Sequence, residues 1–284
     1  MRAALGLPAG GARRRESREG ATHFDLDRAL PDGTTGREHL ERFEPRRARL
    51  PEVSVEDADR YIRDQGDRRP WLRPALDSPP EVKRVYAALD QSSCHALQRH
   101  EGFGNDESQR RRVLFGEDPA QLDQVKREAG LDGVNPGQIH HCGGLACRIR
   151  ERDAFAVAMA RAIEHPEVRA VLDRPYQKGQ SVLPAVVPIA DLLGPEGHRS
   201  CSGYRLLGNS PSDAADERKA WQASRAGGLV PAGIAPPRAV QIGDFEGGFI
   251  EVWFKRNQTK TGYELSTMFP APRQYLAGHE VKGQ

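Results

Sequence analysis

The sequence predicts an α+β fold, in which N-terminal helices are followed by a twisted antiparallel sheet. Helical patterns occur between residues 55 and 172, whereas short β-prone segments separated by Gly, Pro, Asn and Asp follow residue 182. With 284 residues, 37% of them hydrophobic, the chain can bury one sizeable core or two small ones. Helices first and strands later are typical of the α+β class.

The N-terminal part divides into a flexible segment and several helices. Residues 1–79 are charged and poor in aliphatic side chains, which predicts a flexible leader or linker with weak helix. Helices are predicted over 55–65 and 80–97, the second from apolar residues spaced about one turn apart. Residues 153–172 give the strongest helical pattern, and Pro166 is expected to end its first part.

The C-terminal part of the sequence is predicted to form strands. Two of its segments, FIEVWFKRN and YELSTMFP, are joined by a polar turn and predict a hairpin. Residues 208–237 are rich in Ser, Ala, Gly and Pro and are expected to form an inserted loop. The remaining predicted strands lie in SVLPAVVPIADLL, CSGYRLL and RAVQIGDF.

Composition excludes several functional classes. The 42 basic and 40 acidic residues give a net charge of only +2, and residues 87–284 carry 24 of each, so no bulk electrostatic grip on nucleic acid is expected. No apolar run reaches the ~18–20 residues that cross a bilayer, which predicts no membrane insertion. Four cysteines are too few for a disulfide scaffold in a chain of this length.

One segment concentrates the side chains suited to phosphodiester chemistry. His95 and His100 flank Arg99, and Arg110, Arg111 and Arg112 follow shortly. Imidazole takes up and releases protons near neutral pH, whereas guanidinium offers a planar fork of donors that matches phosphate oxygens. Histidines and an arginine cluster in a charged segment are also common on protein surfaces, so the spacing alone leaves both interpretations open.

The segments HALQRHEGF and QRRRV, followed at a distance by GYELSTMFP, resemble the ordered motifs of the bacterial RNase A-like toxin domain. That family forms the C-terminal domains of contact-dependent inhibition and other polymorphic toxins. The resemblance covers about residues 82–272 and implies that residues 80–284 form an RNase A-like toxin domain. It implies an RNA endonuclease that needs no metal ion or cofactor and uses the 2′-hydroxyl of its substrate as the nucleophile.

The resemblance assigns roles residue by residue. The catalytic histidine falls on His95, with His100 as the second candidate, and the catalytic arginine on Arg112. The closing threonine is Thr267, whose hydroxyl would contact a phosphate oxygen or a base edge. The aromatic position two residues later, commonly Tyr in the family, is Phe269, which lacks a phenolic proton and so leaves any acid role there in doubt.

Further cations are candidates for substrate contacts. Arg111 lies beside the catalytic arginine, and Lys255 lies on the predicted hairpin. Either could contact backbone phosphates, as Phe269 could stack on a base. For Lys255 the alternative is a solvated charge that protects an edge strand from aggregation.

A second set of residues suggests a different interpretation. The spacing of Cys142, Cys147, His198 and Cys201, with His140 and His141 nearby, loosely resembles a tetrahedral zinc site. It favours the alternative of a non-catalytic interaction or structural module, stabilised by zinc, with His95, His100 and the arginines as surface features. A third alternative is another nuclease chemistry on a similar scaffold.

The expected partners and location follow from the resemblance. It implies RNA, with tRNA as one candidate, as substrate and a cognate immunity protein as inhibitor. The N-terminus lacks the continuous apolar stretch of a signal peptide. We therefore expect a delivered effector that leaves its cell by another route, or as part of a larger chain, and acts in the cytoplasm of a target cell.

Overall fold

A computed structural model of the chain describes residues 24–101, 103–208, 211–226 and 236–273. The α-helices are α1 Gly36–Glu41, α2 Val55–Gln65, α3 Pro80–Asp90, α4 Ala96–His100, α5 Asp106–Phe115, α6 Gln124–Glu128, α7 Arg152–Glu164, α8 Pro166–Leu172, α9 Ile189–Leu193 and α10 Pro211–Ala226. Short 3-10 helices occupy Pro45–Ala48, Pro70–Ala75 and Gly197–Ser200. The strands are β1 Leu145–Ile149, β2 Val182–Pro188, β3 Cys201–Leu206, β4 Ala239–Gln241, β5 Phe249–Arg256 and β6 Tyr263–Ala271.

The mixed α+β class is confirmed, but the strands in the described residues form two antiparallel sheets. One sheet has the order β1-β3-β4 and the other β2-β5-β6. Helices α1 to α6 precede the first strand as predicted, whereas α7 to α10 lie between strands. Among the described helices, none combines the length and apolar character that crossing a bilayer requires.

Residues 24–79 differ from the flexible segment that their composition predicts. Leu40, Phe43, Ile62 and Leu72 are each at most 1% exposed and belong to the same hydrophobic cluster as Phe155 of α7. Residues 24–79 contain few apolar side chains, but helices with defined N-terminal caps place these side chains on one side of the segment. Residues 1–23, the first part of the predicted leader, lie outside the described residues.

Local capping explains where several helices begin and end. Helix α2 has the predicted bounds, and the side chain of its N-cap Ser54 accepts a hydrogen bond from Asp57 N. The predicted helix over 80–97 is instead split, because Ser92 turns the chain after α3 by donating to the carbonyl of Leu89 (2.6 Å). Pro166 separates α7 from α8 as predicted.

Residues 208–237, predicted as a loop, contain α10. Helix formers dominate DERKAWQA, and Pro211 occupies the first helical position, where its missing N–H costs nothing. The buried guanidinium of Arg218 donates to the carbonyls of Val113 (2.7 Å) and Gly143 (3.1 Å), which docks α10 against α5. The tail of the predicted loop, residues 227–235, lies outside the described residues.

The predicted C-terminal hairpin is confirmed by the pairing of β5 with β6. A register shift between Trp253 and Phe254 interrupts the ladder. Because side chains alternate across a strand, Trp253 and Thr267, which are paired in register, project from one face of the sheet. Glu251 and Phe269 are the next pair on that face. This face meets α4 and β1.

Candidate active site

The first predicted histidine is tied to the end of the hairpin. His95 is the N-cap of α4, and its backbone N–H donates to the carbonyl of Ser266 on β6 at 2.9 Å. This bond fixes His95 beside Thr267, the next residue along the strand. His95 as a whole residue is partly exposed, whereas the residues that follow it in α4 are buried.

Four more of the predicted residues lie around the end of α4. His100, its last residue, is 4% exposed and stacks on the ring of Phe269, with centroids 4.9 Å apart and an interplanar angle of 26°. Arg112 comes from α5, and its Nη1 lies 3.3 Å from Nε2 of His100. Thr267 is 8% exposed, and its hydroxyl has no hydrogen-bond partner among the described residues. The fold thus brings together residues that lie up to 174 positions apart in the sequence.

Among the described residues, Arg112 is a buried cation without an acidic partner at ion-pair distance. It is 6% exposed, and no carboxylate in the described part of the chain lies within ion-pair distance of its guanidinium. Its hydrogen bonds go to neutral groups, from Nε to Nε2 of His140 (3.2 Å) and from Nη1 to His100. Because an unpaired buried charge is costly, this arrangement is typical of a site that receives an anion.

The environment holds the histidines in their neutral form. Burial, followed by the positive charges of Arg99 and Arg112, lowers the pKa of His95 to about 3. Burial and the charge of Arg112 hold the pKa of His100 well below its usual range. Burial also lowers the pKa of Arg112, but a guanidinium starts so high that it remains charged at neutral pH. The site therefore combines neutral imidazoles with a guanidinium that has no carboxylate at ion-pair distance among the described residues, although Asp118 acts on its charge from farther away.

A second buried arginine lies next to Arg112 and is fully paired. Arg99 Nη2 donates to Asp118 Oδ2 and Asp132 Oδ2, both at 2.7 Å, and Nε donates to Asp118 Oδ1 at 2.9 Å. His140 completes the group, with Nδ1 lying 3.5 Å from Asp132 Oδ2. Hydrogen bonds from Arg99 lower the pKa of Asp118 against the effect of burial, so the carboxylate is charged. With His140 neutral, the group is an ion-pair network of two carboxylates and one guanidinium, and it carries a net charge of −1.

Arg111 and Lys255 do not join the cluster. The guanidinium of Arg111 is bound by Glu117, at 2.7 Å from Nε and 2.5 Å from Nη2, on another side of α5 from Arg112. Lys255 Nζ lies 3.7 Å from Glu264, and the side chain is 40% exposed.

The structure does not assemble the Cys and His residues of the zinc alternative. In the described residues, the group of three or more potential ligands at metal-binding distance consists of Asp118, Asp132 and His140, and Arg99 already supplies its positive charge. All four cysteines are free thiols. Burial raises the pKa of Cys94 to about 12 and that of Cys147 well above its usual range, so these thiols stay protonated. Protonated thiols are poor zinc ligands.

Sequence reasoning missed two contributors to the cluster. His140 was considered only as a metal ligand, yet it contacts Arg112. Trp253, which lies within the predicted hairpin segment FIEVWFKRN, is partly exposed beside Thr267, and its indole N–H donates to Glu251 at 2.8 Å. For Trp253, the alternation along β5 was an available signal, because it places this residue on the face of Glu251 rather than that of Val252.

Comparison with known proteins finds no relative. No family model, no curated protein and no solved structure matches the chain.

Proposed function

We propose that this chain is a ribonuclease that cleaves RNA by attack of the 2′-hydroxyl on the adjacent phosphate. The observation that carries the proposal is Arg112, a buried guanidinium with no carboxylate partner in the described residues, set beside a partly exposed neutral histidine. A phosphodiester would give Arg112 a direct anionic partner, and its transition state gains more charge on the oxygens that the guanidinium contacts.

His95 is the better candidate for the general base. It is partly exposed, whereas His100 is covered by Phe269 and its Nδ1 lies 2.7 Å from the carbonyl oxygen of Cys147. Because a ring nitrogen next to a carbonyl oxygen must carry the proton, Nε2 of His100 is the unprotonated nitrogen, and Arg112 Nη1 lies 3.3 Å from it and 3.4 Å from Nδ1. We infer that His95 accepts the proton and that His100 orients Arg112.

The low pKa of His95 makes it a weak base in the free protein, and we infer that substrate binding raises this pKa. Burial is the largest cause of this low pKa, followed by the charges of Arg99 and Arg112, and a phosphate on Arg112 would cancel part of that positive charge and raise the pKa of His95. General-base catalysis is most effective when the pKa of the base approaches the working pH.

With these groups, each bond that forms in the proposed reaction is matched by a bond that breaks. His95 takes the 2′ proton, the 2′ oxygen bonds to phosphorus, and the bond from phosphorus to the 5′ oxygen breaks. The products are a 2′,3′-cyclic phosphate end and a 5′-hydroxyl end, whose proton comes from solvent or from protonated His95. Thr267 offers its free hydroxyl to a phosphate oxygen or a base edge, and Trp253 and Phe269 offer partly exposed rings for base stacking.

Cleavage of a labelled RNA in excess chelator tests the proposal. We expect the native protein to release cyclic phosphate ends and to leave the 2′-deoxy version of the same oligonucleotide intact. His95→Ala should lower the rate about 10²- to 10⁴-fold. The matched control is Arg110→Ala, which removes a neighbouring arginine that is 46% exposed and paired with Glu107, and should leave the rate unchanged. Intact RNA after incubation with folded native protein, or equal cleavage by His95→Ala, would contradict the proposal.

The resemblance to polymorphic toxin domains supports a biological role for this activity. As a delivered toxin, the protein would arrest the growth of cells that express it, and a cognate immunity protein would cover the face that bears His95. Expression of native protein and of His95→Ala in parallel tests this role. Arrest by the native protein alone is expected, and equal growth of both cultures would count against it.

A further inference from the structure

His140 is buried at the end of an irregular segment between α6 and β1. Its side chain is fully inaccessible, and its backbone N–H donates to the carbonyl of Gly130 at 2.8 Å. The N–H of Asp132 in turn donates to Gln138 at 2.8 Å, and Leu131 pairs with Ile139. The segment therefore closes on itself and fixes the position of its last residue.

The contact between His140 and Arg112 defines the form of the imidazole. Nε2 of His140 accepts the hydrogen bond from Nε of Arg112 at 3.2 Å. A nitrogen that accepts carries no proton, so the neutral ring holds its proton on Nδ1. That nitrogen lies 3.5 Å from Asp132 and 3.7 Å from Asp118. The two carboxylates thus favour the tautomer that Arg112 requires.

The carboxylates themselves are held in place. Oδ1 of Asp132 accepts from the backbone N–H groups of Val134 (2.8 Å) and Asn135 (2.7 Å), and Asp118 accepts from that of Gly133 (2.8 Å). Arg99 bridges both carboxylates. Because each carboxylate accepts hydrogen bonds both from the backbone and from Arg99, the two carboxylates keep fixed positions beside His140.

We propose that His140 is a positioning residue, which in its Nδ1-protonated form holds the Arg112 guanidinium at Nε so that its remaining N–H groups face a phosphate. The inference rests on the proposed ribonuclease function for its catalytic consequence, but the hydrogen bond itself can be tested without activity. His100 restrains the same guanidinium at Nη1. In the described residues no hydrogen bond involves Nη2 of Arg112, which leaves that end for an anion.

Two variants of similar polarity separate this role from simple packing. In His140→Gln the amide oxygen takes the place of Nε2 and can still accept from Arg112. In His140→Asn the amide oxygen corresponds to Nδ1 and falls short of Arg112. We expect the cleavage rate of His140→Gln to stay within about 5-fold of native and that of His140→Asn to fall about 10²-fold, the loss typical of a reacting group displaced by about an ångström.

Nitrogen NMR gives a readout that does not depend on RNA. The spectrum should show His140 protonated at Nδ1, and the Arg112 Nε–H should exchange slowly in native protein and in His140→Gln but rapidly in His140→Asn. Titration with inorganic phosphate should shift the Arg112 signals with about tenfold weaker affinity in His140→Asn. A His140 protonated at Nε2, or equal exchange and equal phosphate affinity in both variants, would overturn the inference. Slow Arg112 exchange in a native protein that leaves RNA intact would instead contradict the ribonuclease proposal alone.

Discussion

Two buried arginines, equal in exposure, show how the same side chain serves different purposes. Arg99 and Arg112 are each 6% exposed and lie within two successive helices, α4 and α5. Arg99 is bound by Asp118 and Asp132, whereas Arg112 contacts only neutral groups among the described residues. Removal of a paired buried cation leaves its partners as unpaired buried charges, whereas an unpaired cation itself costs stability that a bound anion can restore. The difference in partners, not in burial, therefore separates a structural residue from a functional candidate.

Loss of Arg99 should have the largest effect on stability. Arg99→Met leaves two buried carboxylates unpaired, and breaking such a group typically costs about 3–5 kcal/mol in the free energy of unfolding. Urea denaturation followed by circular dichroism measures the change. A variant as stable as native protein would show that the pairing of Arg99 does not hold the site together and that Arg99 is no more structural than Arg112.

Acidification should destabilise the protein through the histidines that face Arg112. His95, His100 and His140 have lowered pKa values in the folded state, so below about pH 6.5 the unfolded state binds more protons than the folded state. Stability is complete above pH 6.5 and falls as the pH drops, by at most about 1.4 kcal/mol per pH unit for each imidazole. The lowered pKa of Asp118 and Asp132 acts in the same direction below about pH 4. Thermal unfolding between pH 7 and pH 5 measures the trend, and a flat profile would contradict it.

Removal of the Thr267 hydroxyl tests whether this buried group, like the Arg112 guanidinium, serves substrate binding rather than stability. Thr267→Val keeps the shape of the side chain and removes a hydroxyl that has no partner among the described residues. The free energy of unfolding should be unchanged or rise by about 1 kcal/mol, while cleavage slows about 3- to 10-fold because one hydrogen bond to substrate is lost. Steady-state cleavage and denaturation of the same variant give both values. A large loss of stability with unchanged cleavage would reverse the assignment.

Arg111 should show the smallest effect on cleavage, although it is the sequence neighbour of Arg112. Its guanidinium is already bound by Glu117, and Arg111→Gln keeps a hydrogen-bond donor there. We expect the cleavage rate to stay within about twofold of native, because an occupied surface cation has little left to offer phosphate. A loss comparable to that of His95→Ala would show that substrate displaces Glu117.

Local patterns predicted much of the fold, and tertiary contacts account for what they missed. The bounds of α2 and the hairpin of β5 and β6 follow from caps, periodicity and turn residues close in sequence. The strand β1, only five residues long, and the helix α10 were not predicted, since LACRI is too short for a period and α10 lies in a Ser- and Ala-rich stretch. Such elements depend on the partners against which they pack.

The candidate site likewise has a part that the sequence predicted and a part that it did not. The motifs around His95 and Arg112 are contiguous in sequence, and they identified side chains that the fold brings together with Thr267. The network of Asp118, Asp132 and His140 lies on loops whose polar residues look unremarkable until Arg99 is placed among them. Which of the three adjacent arginines is buried also depends on how α5 packs, and a sequence motif does not determine that packing.

Cleavage of RNA by Arg112→Met is the most direct test of the account, with the free energy of unfolding determined on the same preparation. We expect a rate about 10²- to 10³-fold below native, as for the loss of one donor to the transition-state charge. We also expect a change in stability below about 1 kcal/mol, since the lost hydrogen bonds are offset by removal of a buried charge that has no direct ionic partner. Native cleavage together with strong destabilisation would contradict it and make Arg112 a second structural arginine.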